Sequence, residues 1–159
     1  MGTMERITAA DVLLDVDVSS KRRVLEALAA EAARRSGRPQ EEILEALQAR
    51  EALGSTALGR GVALPHARLD ADIQPLMLFA RLAKPIDYEA RDDEPVDLVI
   101  LVLWPESEPE GFLPTLAATC RPLRAPQALR RLRMATSAEE VVSVLQRYDG
   151  ADSKTEEDA

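Results

Sequence analysis

Apolar and polar residues follow two different periods along the chain, which separates predicted helices from predicted strands. From Ser20 to about Ser36 apolar residues recur every three or four positions, which predicts a helix with Ser19 or Ser20 as N-cap and Gly37 as its end. A second helix, with Pro39 in its first turn, runs to about Arg50. The predicted buried faces are Val24, Leu25, Leu28, Ala29 and Ala32 in the first helix, and Ile43, Leu44 and Leu47 in the second.

Strands are predicted where apolar residues are continuous or alternate with polar ones. These segments are residues 14–18, with Asp15 and Asp17 facing out, the brief Val62 to Leu64, Leu76 to Leu82, and Val96 to Leu103, which ends at Trp104-Pro105. The polar residues from Pro85 to Glu94 indicate a connection between the last two strands.

Further helices are predicted on both sides of this strand-rich region. They are a short helical turn from Thr8 to Leu14, with Thr8 as N-cap, and helices at Leu113 to Arg124, at Gln127 to Met134 and after Ser137. Ser137 and Glu140 have the spacing of a capping box, and Val141, Val142 and Leu145 are expected to face inward. Mixed helices and strands without an internal linker favour one α/β layer fold, with helices on both faces of a sheet.

Composition narrows the possible partners. The chain has 159 residues, enough for one domain, and a net charge of -8 from 28 acidic and 20 basic residues. Such a charge repels nucleic acid and favours encounter with a basic protein surface. The single cysteine, Cys120, allows no internal disulfide or zinc cluster. A polar start at residues 1–6, and no apolar run near the roughly 20 residues that span a bilayer, predict a cytoplasmic protein without membrane insertion.

His66 is the only histidine and the main candidate for chemistry. A neutral imidazole is a nucleophile near pH 7, and Pro65 favours its projection from a strand end. Nearby glycines could bring N–H groups to an anion, Ser55 and Thr56 add hydroxyls, and arginines match phosphoryl oxygens. These glycines are Gly54, Gly59 and Gly61, and the arginines are Arg50, Arg60 and Arg68. The structural alternative is a glycine-rich turn with solvated arginines. P-loop and dinucleotide-binding patterns are absent, so no nucleotide cofactor and no metal are predicted.

This segment resembles a known signature. Arg50-Glu51, Gly54-Ser55-Thr56 and Gly59-Arg-Gly61-Val-Ala-Leu-Pro65-His66 are similar to the active-site motif of IIA proteins of the phosphoenolpyruvate-dependent phosphotransferase system. The likeness is to the fructose/mannitol class, and within it to the stand-alone nitrogen-regulatory members. It continues through Lys84-Pro85-Ile86, Pro95-Val96-Asp97-Leu98 and Leu129-Arg-Arg-Leu132.

The resemblance implies a IIA type 2 domain at residues 5–148, and the acidic, polar composition of 149–159 predicts a disordered tail. The resemblance also implies a three-layer α/β/α sandwich with a mixed central sheet. His66 would be phosphorylated by a small histidine phosphocarrier protein, with Arg50 beside the phosphoryl group. Ser55, Thr56, Gly61 and Arg68 are the predicted phosphoryl-binding residues. Arg50 alone also suits the C-terminal end of a helix, where a cation stabilises the dipole.

One position departs from the family pattern. Members commonly carry a second histidine at the start of the helix after the Val96–Leu103 strand, where this chain has Phe112. A phenyl ring donates no hydrogen bond, so slower transfer or an altered lifetime of the phosphorylated form is predicted, unless Phe112 only packs in the core. Two functions stay open: a phosphohistidine carrier, which counts as a phosphoryl-transfer component, and a regulatory protein-binding module. Their respective partners would be a sugar-specific IIB component and regulatory targets. A hydrolase using His66 as general base lacks a convincing nucleophile.

Overall fold

The computed structural model describes residues 7–149. Segment 1–6 and the predicted acidic tail from residue 150 onward lie outside the described residues. The chain forms two compact units, of which one is Leu14–Glu108 and the other is made of the residues before and after it. No helix within residues 7–149 is both long enough and apolar enough to cross a membrane.

The first unit contains two helices, α1 (Lys21–Ser36) and α2 (Gln40–Ala52). Ser20 caps α1 by accepting a hydrogen bond from the Arg23 N–H at 3.2 Å, as the sequence predicts. Gly37 ends α1 with φ of 76°, a conformation that costs a residue without Cβ little. In α2 the prediction is off by a few residues, because Pro39 is the N-cap and the helix continues to Ala52.

Six strands form one mixed sheet in the order β1-β5-β6-β3-β2, and β4 also pairs with β6. Their bounds are β1 Val12–Val16, β2 Ala57–Gly59, β3 Val62–Ala63, β4 His66–Leu69, β5 Leu76–Ile86 and β6 Val96–Pro105. β6 is buried at every position except the partly exposed Asp97, so the core lies around this strand. The α/β class with a mixed sheet is thereby confirmed.

Two short strands occupy the same edge of β6. β3 pairs with it in parallel at Leu98 and Val99, and β4 pairs in parallel from Val102 to Pro105. β5 covers the opposite edge in antiparallel register. β4 was not predicted from the sequence, because its four residues His66-Ala-Arg-Leu69 are stabilised by pairing with β6 rather than by their own pattern.

The observed boundaries of β5 and β1 differ from the predicted ones. β5 extends to Ile86 through Pro85, in a stretch where its register against β6 shifts between Arg81 and Ile86. A proline without an N–H is tolerated at such an irregularity, so the connection predicted from Pro85 is shorter than expected. β1 starts at Val12, because the helical turn predicted to reach Leu14 is a 3₁₀ turn that ends at Asp11. Asp15 is exposed, as predicted.

The second unit contains α3 (Phe112–Cys120), α4 (Pro126–Met134) and α5 (Ala138–Arg147). α3 stops at Cys120 rather than Arg124, since the chain continues as a 3₁₀ turn that begins at Pro122. Ser137 caps α5 by accepting from the Glu140 N–H at 3.1 Å, which confirms the predicted cap. Val144, not Val142, is buried on α5.

Candidate functional site

His66 is the first residue of β4, and the backbone just before it is fixed by hydrogen bonds. The Leu64 N–H donates to the Thr56 carbonyl at 3.0 Å, and the Pro65 carbonyl accepts from the Val102 N–H at 3.1 Å. His66 itself pairs with Val102 in the parallel ladder. The half-buried ring therefore projects from a strand end, as the Pro65-His66 sequence predicts.

The two ring nitrogens have different partners. Nδ1 lies 2.8 Å from the Leu64 carbonyl oxygen, and Nε2 lies 3.2 Å from Nε of Arg50. A carbonyl only accepts and a guanidinium only donates, so Nδ1 carries the hydrogen and Nε2 accepts from Arg50. His66 is thus a neutral imidazole with its lone pair on Nε2, facing a cation.

The pKa of His66 lies below its usual 6.5. Desolvation by burial is the largest cause; the hydrogen bond to the Leu64 carbonyl opposes it, the positive charge of Arg50 adds to it, and the negative charge of Glu51 opposes it. The imidazole is therefore neutral at pH 7 and remains nucleophilic in slightly acidic solution.

We expect the imidazole to titrate with a midpoint below pH 6.5, because its charged form is disfavoured in the fold. Arg50→Gln should raise the midpoint by removing the neighbouring positive charge. Because the folded pKa is lower than the unfolded one, protonation of His66 should destabilise the fold as pH falls through the folded value. NMR of the ring protons measures the titration midpoint directly, since a single histidine gives one set of signals. A downward shift in Arg50→Gln would contradict the assigned contact.

Arg50 lies in the last turn of α2 and is held at two points. Besides its contact with His66, its Nη1 donates to the Gly54 carbonyl at 3.0 Å. That carbonyl belongs to the loop that follows the helix, where cations stabilise the end of the dipole. Arg50 is thus a helix-end cation that also donates to the imidazole, and its place beside a phosphoryl group stays a prediction.

Both side-chain hydroxyls in the loop after α2 form hydrogen bonds with other groups of the protein. Ser55 Oγ donates to the Tyr88 carbonyl at 3.1 Å and accepts from the Ala57 N–H at 3.2 Å. The buried Thr56 hydroxyl donates to the Glu51 carboxylate. Phosphoryl binding by Ser55 and Thr56 stays a prediction, and in this geometry it would require both hydroxyls to exchange partners.

The remaining predicted phosphoryl-binding residues are Gly61, in the turn between β2 and β3, and Arg68, on β4. Gly61 has φ of 82°, and its carbonyl accepts from the N–H groups of Asp97 and Leu98 at 3.0 and 3.1 Å. Arg68 is exposed on β4, two positions after His66, and alternation places both side chains on one face of the strand. The Gly61 carbonyl is thus hydrogen-bonded to β6, whereas the Arg68 side chain lies on the same strand face as His66 and can approach an anion bound there.

Sequence reasoning missed a buried polar cluster beside this site. Glu51 follows Arg50 directly, its side chain is 5 % exposed, and it forms an ion pair with Lys21 at 3.0 Å. Tyr88 donates to the same carboxylate at 3.0 Å, and burial together with the charge of Glu51 raises the pKa of the phenol. The sequence showed Glu51 only as part of the motif, because its partners Lys21 and Tyr88 are distant along the chain.

Phe112 is the first residue of α3 and is 8 % exposed. The effect of a phenyl ring in place of the family's second histidine stays a prediction. Within residues 7–149, no group of three or more His, Cys, Asp or Glu side chains is arranged to hold a metal ion.

Comparison with known proteins adds to this geometry. Residues 5–148 match the family described as "Phosphoenolpyruvate-dependent sugar phosphotransferase system, EIIA 2". A protein of Bradyrhizobium diazoefficiens called "Nitrogen regulatory protein" is 42 % identical over 134 residues, covering 84 % of this chain and 88 % of the relative. A protein of the same name from Escherichia coli K12 is 35 % identical over 136 residues, covering 85 % and 83 %.

A solved structure has the same fold. The crystal structure titled "Nitrogen Regulatory Protein IIA-Ntr from Neisseria meningitidis" has a TM-score of 0.85 and 34 % sequence identity. The match covers 89 % of this chain and 97 % of the Neisseria chain, so it includes the sheet and helices of both units.

Proposed function

Because this chain belongs to the EIIA type 2 family of the phosphoenolpyruvate-dependent sugar phosphotransferase system, we propose that it is a cytoplasmic phosphohistidine carrier that acts in nitrogen or metabolic regulation. Its phosphoryl donor would be a small histidine phosphocarrier protein. The observation that carries the proposal is the unprotonated Nε2 of His66, presented 3.2 Å from Nε of Arg50.

The proposed step moves one phosphoryl group between two nitrogens. The lone pair on Nε2 attacks phosphorus while the bond between phosphorus and the donor's histidine nitrogen breaks. The hydrogen on Nδ1 stays in place, held by the Leu64 carbonyl at 2.8 Å, so no base is required to create the nucleophile. Phosphoryl transfer depends mainly on positioning and on stabilisation of charge on the phosphoryl oxygens.

Arg50 would have a different partner before and after transfer. In the free protein its Nε donates to Nε2, and that lone pair must be released for the attack. The guanidinium can then donate to a phosphoryl oxygen. This hydrogen bond forms as negative charge develops on the phosphoryl oxygens, so it stabilises the transition state more than the ground state. We propose Arg68 as a second cation on the same strand face, and Ser55, Thr56 and Gly61 as further phosphoryl-binding residues.

The regulatory role is supported by the names of the two relatives described above. A regulatory module is the second candidate function, because phosphorylation adds charge at His66 and could change affinity for a target protein. In that case onward transfer to a sugar-specific IIB component would be weak or absent. The net charge of -8 favours partners with basic surfaces in either case.

Phosphoryl transfer tests both candidates. The protein is incubated with phosphoenolpyruvate and the upstream phosphotransferase proteins, and the adduct is followed by mass spectrometry. We expect an acid-labile, base-stable adduct of one phosphoryl group, and its absence would contradict the proposal. Addition of a IIB component then separates the candidates: a carrier loses the group rapidly, whereas a regulatory module retains it and binds its targets differently in the two states.

A further inference from the structure

Three side chains from separate parts of the first unit converge on one buried carboxylate. Glu51 accepts from the Thr56 N–H at 3.1 Å and from the Tyr88 hydroxyl at 3.0 Å, and it also accepts from the Thr56 hydroxyl. The Lys21 ammonium lies 3.0 Å from Glu51 and 4.8 Å from the centre of the Tyr88 ring. Glu51 therefore has an opposite charge and three donors, which a buried carboxylate needs.

Three hydrogen bonds, linked through the backbones of Thr56 and Leu64, connect this carboxylate with the imidazole. Glu51 accepts from the Thr56 N–H, the Thr56 carbonyl accepts from the Leu64 N–H at 3.0 Å, and the Leu64 carbonyl faces His66 Nδ1 at 2.8 Å. The N–H and the carbonyl of Thr56 belong to two different peptide groups, as do those of Leu64, so these bonds act together by fixing the backbone positions of both residues. The series ends on the nitrogen that decides which tautomer His66 adopts.

We propose that Glu51 is a positioning residue that acts through the peptide groups of Thr56 and Leu64 to keep the His66 hydrogen on Nδ1 and leave Nε2 open to the phosphoryl group. The inference rests on the proposed function for its consequence, but the tautomer itself exists without any phosphoryl donor. The Leu64 carbonyl accepts from Nδ1 and so keeps the hydrogen there, which leaves Nε2 unprotonated, and Glu51 helps to fix that carbonyl through Thr56.

The carboxylate also positions Arg50, its neighbour in α2. Thr56 is fixed by Glu51 at its N–H and its hydroxyl, and Arg50 donates to the Gly54 carbonyl two residues before it. The loop from Gly54 to Thr56 is thereby held at both ends against the last turn of α2. Loss of the carboxylate should therefore loosen the contacts on both sides of the imidazole, at Nδ1 and at Nε2.

Glu51→Gln tests this role, with Glu42→Gln as the matched control. Glu42 lies on the same helix and forms an ion pair with Arg38, 2.7 Å away. Nitrogen chemical shifts of the ¹⁵N-labelled imidazole report the tautomer in the free protein. We expect Glu51→Gln to shift population toward the Nε2–H form, and to lower kcat/KM for phosphorylation about tenfold, by analogy with losses at other histidine-orienting partners. The control should keep the wild-type values.

The charge of Glu51 gives an independent readout. It raises the pKa of His66, so Glu51→Gln should lower the titration midpoint, opposite to the direction expected for Arg50→Gln. Should Glu51→Gln fail to fold, Tyr88→Phe removes one donor to the carboxylate and is expected to shift the tautomer in the same direction to a smaller extent. A wild-type tautomer in a folded Glu51→Gln protein, or in Tyr88→Phe when the first variant is unfolded, would overturn the positioning role. A wild-type protein that forms no adduct would instead overturn the proposed function.

Discussion

His66→Gln is expected to abolish the acid-labile phosphoryl adduct completely, because it removes the only imidazole in the chain. Glutamine has similar reach and can still accept a hydrogen bond from Arg50, so the loop and the sheet should remain intact. The comparison is made by mass spectrometry after incubation of both proteins with the upstream phosphotransferase proteins. Equal thermal unfolding of the two proteins establishes that the loss is chemical rather than structural.

The position of the adduct on the ring is part of the same expectation. Nδ1 is occupied by the hydrogen donated to the Leu64 carbonyl, so phosphorus should be bonded to Nε2. Coupling between ³¹P and the labelled ring nitrogens distinguishes the two positions. Phosphorus on Nδ1, or an adduct that persists in His66→Gln, would show that the geometry around the ring does not direct the chemistry.

Arg50→Gln should have the second-largest effect, a decrease in kcat/KM for phosphorylation of about 10²- to 10³-fold, the range seen when one preorganised donor to a developing charge is removed. The guanidinium is held against Nε2, at 3.2 Å, so its charge would lie beside a phosphoryl group bonded to that nitrogen. Glutamine retains a donor but loses the charge and the second bond to the Gly54 carbonyl. Single-turnover kinetics at saturating donor separate the chemical step from docking.

Arg38→Gln is the matched control for this substitution. Arg38 forms its ion pair with Glu42 near the start of α2, at the opposite end of the helix from Arg50. An exposed pair of this kind contributes little to stability, and we expect near-wild-type kinetics. Arg68→Gln should give a smaller decrease than Arg50→Gln, because Arg68 is exposed and its charge is screened. Equal losses for Arg50 and Arg68 would mean that net positive charge, rather than the contact with Nε2, controls the rate.

The site shows which features local sequence could predict. The motif around His66 predicted the candidate acceptor, and Pro65 predicted its place at a strand end, since proline restricts the residue before it. The motif also associated Arg50 with the histidine, and the structure brings their nitrogens within 3.2 Å. It could not predict that the hydroxyls of Ser55 and Thr56 donate to Tyr88 and Glu51, because a hydroxyl turns toward whichever acceptor folding brings near it.

The sequence by itself determined the helices, the two long strands and the identity of the candidate acceptor. Caps such as Ser20, Gly37 and Ser137 act within a few residues, so their effect is present in any local window. Only the tertiary structure decided the tautomer of His66, the pairing of β4 with β6 and the burial of Glu51. Glu51 meets Lys21 and Tyr88, 30 positions before it and 37 after it, and contacts at such separations exist only once the sheet has formed.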